Sequence, residues 1–258
     1  MNHLALLITA ALAWGFPLPA TAGWDELPAS VSGVKSASGP DAPATPSPER
    51  ALPLICVDPG HPNSFSAGTD MVNGTNEARI NWQVSVRLER ILKEKGFEVI
   101  MTRHSETQSV ENKDRGLICN AAVLAVHLHC ESTPGSGFAL YYPDREGTFE
   151  YKDDPDNGFK GPSSQVITDS LVFAQAMERS MKAGLAGSLA DLGVKGDSRT
   201  LVGESQGALT FSIFSKIPTL TIEMAVLTNK RDAAFIRSEA GQEKMADAIA
   251  SGILLYRP

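Results

Sequence analysis

Short apolar runs alternate with longer amphipathic segments from residue 54 to the end of the chain. Strands are predicted over 54–57, 97–102 and 122–129, where apolar residues dominate. Between them, apolar positions at helical spacing predict one helix ahead of Gly96 and another over 110–121. Strands that alternate with helices in this way predict an α/β fold with a largely parallel sheet covered on both faces.

The second half of the chain continues this pattern less regularly. Strands are predicted over 137–142 and 218–224, and helices over 166–185 and around Met245, Ile249 and Ile253. A loop is predicted after residue 185, ahead of an apolar run at 209–214. Residues 143–164 contain Gly, Asp and Pro throughout and are predicted to form a long polar loop. Such a loop is either part of a functional site or a mobile surface excursion, and the pattern leaves both open.

The first 52 residues differ from the rest of the chain. An apolar run over 4–14 is followed by Ala20-Thr21-Ala22, which has the small-residue pattern of a signal-peptide cleavage site. Residues 1–22 are therefore predicted to be a signal peptide, and the alternative, a membrane anchor, needs a longer apolar run. Residues 23–52 are rich in Pro, Ala and Ser and are predicted to be a linker. Residues 53–258 form the predicted domain, exported to the periplasm or to the cell exterior.

Composition excludes two classes of protein. A 258-residue chain with 42% hydrophobic residues can bury a sizeable core, which excludes a wholly disordered protein. A formal net charge of −7 without a cluster of Lys and Arg argues against a nucleic-acid-binding protein. The three cysteines, Cys56, Cys119 and Cys130, show no C-x-x-C spacing and are expected to be buried small hydrophobic residues rather than a disulfide framework.

Two histidines lie where predicted strands end. His61 follows the first strand in the turn Asp58-Pro59-Gly60-His61, and His129 ends the third strand. The carboxyl ends of parallel strands meet at one edge of the sheet, which is where ligands bind in open α/β folds. Glu77 begins the first predicted helix beside this edge, where the helix dipole favours a carboxylate.

This set of side chains matches the chemistry of a catalytic zinc site. Such sites take three protein ligands from His and carboxylate groups and leave a fourth position open, and His61, Glu77 and His129 would supply the three. Glu223 ends the strand predicted over 218–224, which brings a second carboxylate to the same edge as a proton carrier. Taken singly, each residue has a plainer interpretation: a hydrogen-bonded structural histidine, a helix cap or a surface salt bridge.

Two further histidines compete for these roles. His127 lies two residues before His129, so both side chains face the same side of a strand. His129 is nearer the carboxyl end and is preferred as the ligand, while His127 is assigned either to support of the site or to packing. His104, after the second predicted strand, could line the cleft, and the preferred interpretation is that it is exposed.

Four motifs occur in a characteristic order over residues 54–258. Together they resemble the zinc-dependent N-acetylmuramoyl-L-alanine amidases of the type 3 amidase family, whose remaining landmarks are matched by Thr102-Arg103, Arg115 and Asn120. The four motifs are Val57-Asp58-Pro59-Gly60-His61, Asn76-Glu77, Ala125-Val126-His127-Leu128-His129, and Pro218-Thr219-Leu220-Thr221-Ile222-Glu223 followed by Leu227-Thr228-Asn229.

The resemblance implies a single domain with a twisted, mostly parallel (mixed) sheet flanked by helices on both faces. It implies that His61, Glu77 and His129 bind Zn2+ and that Glu223 is the catalytic acid and base. The implied reaction is hydrolysis of the amide bond between N-acetylmuramic acid and the L-alanine of the peptidoglycan stem peptide. The expected partner is peptidoglycan, acted on by a monomer without nucleic acid and without a membrane span after signal cleavage. Alternatives are a zinc peptidase or amidohydrolase acting on another peptide, and a catalytically silent wall-binding module.

The chain also departs from the family pattern. Pro62-Asn63 replaces two glycines after the first histidine, and Ala225-Val226 replaces Gly-Phe after Glu223. His127 stands where similar sequences usually have serine, which supports His129 as the ligand. Glu131 stands where an asparagine is usual, and is either a contact for an amine or cation on the stem peptide or a solvated loop residue. None of these changes removes a candidate ligand or the proton carrier.

Overall fold

The central feature of the fold is a six-stranded mixed sheet, seen in a computed structural model that describes residues 53–151 and 154–256. The predicted signal peptide and linker, residues 1–52, lie outside the described residues. The described residues contain eight strands, which are, in chain order, β1 (Leu54–Pro59), β2 (Glu98–Met101), β3 (Leu124–Glu131), β4 (Phe138–Tyr142), β5 (Gly147–Tyr151), β6 (Asp154–Gly161), β7 (Asp191–Gly196) and β8 (Thr219–Val226).

The sheet is parallel in one half and mixed in the other. Its strand order is β2-β1-β3-β8-β4-β7, and the neighbours from β2 to β8 all pair in parallel. Strand β4 runs antiparallel to β8 and parallel to β7. The carboxyl ends of β1, β3 and β8 therefore meet at one edge, as the sequence pattern predicts.

Helices cover both faces of the sheet, which confirms the predicted α/β class. Two hydrophobic layers result, the larger one beneath the helices α1, α3 and α7 and the smaller one beneath α2 and α5. The residues of β1 are apolar because both faces of the strand are buried. Ile55 and Val57 pack in the larger layer, and Cys56 packs in the smaller one. The helices are α1 (Glu77–Glu94), α2 (Asn112–Cys119), α3 (Ser164–Gly184), α4 (Leu201–Gln206), α5 (Thr210–Ile213), α6 (Lys230–Arg237) and α7 (Glu239–Tyr256). Among the described residues no helix has the length and apolar character that a membrane span requires.

Two segments predicted as loops are wholly or partly strands. Strands β5 and β6 pair as an antiparallel hairpin inside 143–164. Phe149 and Phe159, which oppose one another in the hairpin, both pack on Phe214, with ring centroids 5.3 and 4.5 Å away. Strand β7 likewise lies in the segment after residue 185. Tertiary contacts stabilise these strands where local polarity favours loops.

The expectation for the cysteines is wrong for two of the three. Cys56 in β1 and Cys119 at the end of α2 form a disulfide across a sequence separation of 63 residues. Both belong to the smaller hydrophobic layer, so the packing of α2 on β1 brings the two sulfur atoms together. Within the described part of the chain Cys130 remains a free thiol, and it is buried as expected.

Candidate functional site

His61 lies just beyond the carboxyl end of β1 in a backbone conformation that few residues adopt. Its φ of 54° falls in the left-handed region, which is rare for residues other than glycine and recurs at functional sites. The Nδ1 atom is 3.1 Å from the carbonyl oxygen of Ser66, to which it can donate its proton. The other ring nitrogen, Nε2, faces the Oε2 atom of Glu77 at 3.4 Å. The local structure therefore turns the Nε2 atom toward Glu77.

Glu77 is the first residue of α1 and lies between the two histidines. Asn76 caps this helix by accepting a hydrogen bond from the backbone N–H of Arg79, which sets the direction in which Glu77 leaves the helix. The Oε1 atom of Glu77 is 2.7 Å from Nδ1 of His129 and accepts a hydrogen bond from the backbone N–H of Cys130 at 3.2 Å.

His129 occupies a pocket that exists only because residue 60 is glycine. A Cβ atom built on Gly60 would lie 2.2 Å from Nε2 of His129, far inside a van der Waals contact. One ligand atom each from His61, Glu77 and His129 all lie within 4.8 Å of one another. Two imidazole nitrogens and one carboxylate oxygen at this spacing fit a zinc ion with an open coordination position.

The three side chains carry perturbed pKa values. Burial raises the pKa of Glu77, but hydrogen bonds and charge interactions with His129 and His61 outweigh it and hold the pKa well below its usual range. Burial, together with the charge of His127, lowers the pKa of His129 to about 4. Burial also lowers the pKa of His61, yet its contacts with Glu77 leave that pKa above the ordinary value. An ionised carboxylate beside a neutral His129 is the protonation state that metal ligation needs.

His127 faces the same side of β3 as His129, as predicted, and it is buried. Its Nε2 atom is 2.7 Å from Nε2 of His129, and its Nδ1 atom contacts the carboxylate of Asp58. Asp58 also accepts hydrogen bonds from Arg115 and Thr102. Burial raises the pKa of Asp58, but His127 and Arg115 outweigh that effect and bring it far below the ordinary value. Asp58 therefore stays ionised inside the protein.

Glu223 lies directly opposite His129 in the register of the parallel strands β8 and β3. Its Oε2 atom is buried and has no hydrogen-bond partner among the described residues. Burial raises the pKa of Glu223 well above its ordinary value, and the nearby carboxylates of Glu77 and Glu131 add to this. A surface salt bridge does not describe this environment. A carboxyl group whose pKa is moved upward in this way suits a general acid and base.

Two hollows flank the site. The smaller, of about 100 Å3, is lined by Glu223 together with Glu131, Tyr141 and Lys195. The larger, of about 390 Å3, lies beside Glu77 and is lined by the segment from Phe65 to Asp70. Glu131 is thus a half-buried residue at the end of β3 rather than a solvated loop residue.

Three of the four sequence-predicted site residues form one cluster in the structure. The structure brings His61, Glu77 and His129 together and places Glu223 on the neighbouring strand. His104 is exposed, as expected. The contacts that Asp58 makes with His127 were not foreseen, although Asp58 stands within the first motif. The only available signal was that Asp58 and His127 both lie near the carboxyl ends of adjacent strands.

Comparisons with known proteins agree with the fold. The chain is 24% identical over 235 residues to the N-acetylmuramoyl-L-alanine amidase Rv3717 of Mycobacterium tuberculosis, covering 82% of this chain and 89% of that protein. The solved structure of the N-acetylmuramyl-L-alanine amidase Ami1 from Mycobacterium smegmatis superposes with a TM-score of 0.65 at 20% identity, covering 80% of this chain and 97% of that one. The catalytic domain of CwlV from Bacillus (Paenibacillus) polymyxa superposes with a TM-score of 0.61 at 22% identity, with coverage of 80% and 98%.

A family profile extends over most of the chain. The family described as N-acetylmuramoyl-L-alanine amidase (Amidase_3) matches residues 55–254, a span that runs from β1 into α7. All three candidate ligands and Glu223 fall inside it. The chain belongs to the N-acetylmuramoyl-L-alanine amidase family.

Proposed function

We propose that the chain is an exported, zinc-dependent peptidoglycan amidase. It hydrolyses the amide bond between N-acetylmuramic acid and the L-alanine of the stem peptide. The observation that carries the proposal is the juxtaposition, at one sheet edge, of a His-Glu-His donor set and a buried carboxyl group. Membership of the family supplies the substrate class.

The three donor residues would hold the ion through the atoms that they turn toward one another. Nε2 of His61 and Nδ1 of His129 are the ring nitrogens that face Glu77, because each ring has its other nitrogen in contact with Ser66 or His127. Bound zinc supplies a Lewis acid that polarises the scissile carbonyl and lowers the pKa of a water molecule.

Glu223 is the proposed proton carrier. Its unpartnered Oε2 atom can accept a proton and later return it to the amine of the leaving peptide. Because Glu223 and His129 are cross-strand neighbours, the carboxyl group lies one strand away from the proposed ion. The hollow beside Glu223 provides space for part of the substrate.

Export of the enzyme is supported by two features. Residues 1–22 have the pattern of a signal peptide, and 23–52 that of a linker ahead of the catalytic domain at 53–258. The Cys56–Cys119 disulfide is independent support, because disulfides form and persist in oxidising compartments outside the cytoplasm. The proposed location is the periplasm or the cell wall, and the proposed active form is a monomer.

Digestion of purified peptidoglycan sacculi tests the proposal. The wild-type protein loaded with zinc is expected to release stem peptides that begin with L-alanine, and a chelator should abolish the release. Glu223→Gln should keep its zinc and lose about 10²–10⁴-fold in rate, since it removes a general acid and base. His61→Ala should lose both zinc and activity.

Glu204→Gln is the matched control, because this glutamate is exposed on α4. It should keep both zinc and rate. Cleavage within the stem peptide, identified by mass spectrometry of the products, would show a peptidase instead. Full activity of Glu223→Gln would overturn the assignment of the proton carrier.

A further inference from the structure

Both ring nitrogens of His127 are in contact with other groups. Nδ1 meets the carboxylate of Asp58, and Nε2 lies 2.7 Å from Nε2 of His129. Only 4% of the surface of His127 is exposed, so solvent cannot easily replace either contact. A buried imidazole with a carboxylate on one nitrogen and a second imidazole on the other has little freedom in where its protons lie.

The carboxylate of Asp58 limits which ring nitrogens of the two histidines can carry protons. Asp58 accepts hydrogen bonds from Arg115 and Thr102, so its carboxylate is an acceptor toward His127 as well. Nδ1 of His127 therefore carries a proton. In the neutral form of His127 the other nitrogen is an acceptor, and the proton between the two rings then belongs to Nε2 of His129.

A neutral His129 that carries its proton on Nε2 has none on Nδ1. This lone pair points at Oε1 of Glu77, which is 2.7 Å away and is itself an acceptor. Two acceptor atoms at that distance repel one another unless a cation lies with them. A metal ion held by Nδ1 of His129 and the carboxylate of Glu77 would be that cation.

We propose that His127 is a positioning residue for the metal site, accepting the Nε2 proton of His129 so that Nδ1 of His129 becomes the ligand atom. The inference rests on the proposed zinc site and goes beyond it by assigning His127 a role. Groups that orient a metal-bound histidine through its second nitrogen are commonly carboxylates, carbonyls or water. In this protein the group is a second histidine, His127, whose Nδ1 atom in turn contacts the buried carboxylate of Asp58.

The surroundings of His127 hold its ring in the orientation this role requires. The ring stacks on Phe211, with centroids 4.5 Å apart and an interplanar angle of 7°. Asp58 is held in turn by Arg115, whose guanidinium also donates to the carbonyl oxygens of Pro59 and Pro62. Rotation of the His127 ring would therefore break the stack and the contact with Asp58 together.

Substitution of His127 separates positioning from packing. In His127→Phe the ring can still stack on Phe211 but cannot accept a proton, and zinc affinity, measured by competition with a chromogenic chelator, should fall by about 10–100-fold. In His127→Gln the side-chain oxygen can accept the proton of His129, so the loss should be smaller than in His127→Phe. His104→Phe is the matched control because His104 is exposed, and its zinc affinity should equal that of the wild type.

Nitrogen-15 NMR of the histidine rings shows which ring nitrogen of His129 carries a proton. A purely structural role of His127 would not determine this position. With zinc bound, His129 of the wild type should carry its proton on Nε2 and none on Nδ1, and this pattern can be tested even if a variant fails to fold. Zinc affinity of His127→Phe equal to the wild type, or zinc bound through Nε2 of His129, would overturn the role of His127 while leaving the zinc site intact. A wild-type protein that binds no zinc would instead overturn the proposed function, and the role of His127 with it.

Discussion

Asp197 links the stability of the fold to pH. It follows β7, is fully buried, and burial raises its pKa from 3.8 to about 6. Hydrogen bonds from Ser212 and from the backbone N–H of Leu209 act in the opposite direction, and the nearby charge of Asp144 adds to the increase. Its Oδ1 atom has no hydrogen-bond partner among the described residues. The folded protein therefore favours the protonated form of this group.

The raised pKa of Asp197 makes the free energy of unfolding depend on pH. A pKa raised by about 2 units corresponds to about 3 kcal/mol of differential stability between the two protonation states. Because the folded-state pKa is the higher one, this stability is fully present below about pH 3.8 and is lost as the pH rises through about 6. The side chain at position 197 cannot ionise in Asp197→Asn. The free energy of unfolding of this variant should therefore increase relative to that of the wild type as the pH rises.

Urea unfolding at a series of pH values measures the effect. The free energy of unfolding of Asp197→Asn, minus that of the wild type, should increase by about 3 kcal/mol between about pH 4 and pH 7. A constant offset is expected as well, because the new amide N–H2 takes the place of an unpartnered oxygen. Asp247→Asn, on the exposed side of α7, is the control for the removal of one carboxylate from the surface. A difference for Asp197→Asn that stays flat across this pH range would refute the reasoning.

Two further predictions follow from close packing and from the disulfide. In Gly60→Ala the new Cβ would lie 2.2 Å from the ring of His129. Zinc affinity, measured by competition with a chelator, should therefore fall by about 10-fold or more. Unchanged affinity would show that the ring can move without loss of zinc binding. Replacing both Cys56 and Cys119 by Ala should lower the free energy of unfolding by up to about 4 kcal/mol, from the entropy of closing a loop of this length. Reducing agent should destabilise the wild type similarly and leave the double variant unaffected; equal responses of the two proteins would contradict the prediction.

The parallel half of the sheet could be predicted because its strands are buried on both faces. The apolar run at Leu54–Val57 and the one ending at His129 contrast clearly with the amphipathic helix of α1 between them. The sequence could also place His61 and His129 at one edge, since parallel strands present their carboxyl ends together. Spacing alone could not select Glu77, whose choice depended on the family motif.

The remaining elements lacked a local signal. Strand β7 contains Asp191, Gly193 and Lys195 and lies at the edge of the sheet, so it has neither an apolar run nor strict alternation. The β5–β6 hairpin is stabilised by packing on Phe214, more than fifty residues after it in the chain. The disulfide was missed for the same reason, because the spacing of cysteines does not reveal which helix packs on which strand.

The cross-strand pairing of His129 with Glu223 has a consequence for when activity can appear. The proposed ligand and the proposed proton carrier are almost a hundred residues apart in the chain and become neighbours only when β8 pairs with β3. A shift of one residue in that pairing would turn Glu223 to the opposite face of the sheet. An incomplete chain that still lacks β8 therefore has no proposed proton carrier beside its donor set. Under the proposed function, hydrolysis would therefore require the segment that contains β8 to have joined the sheet.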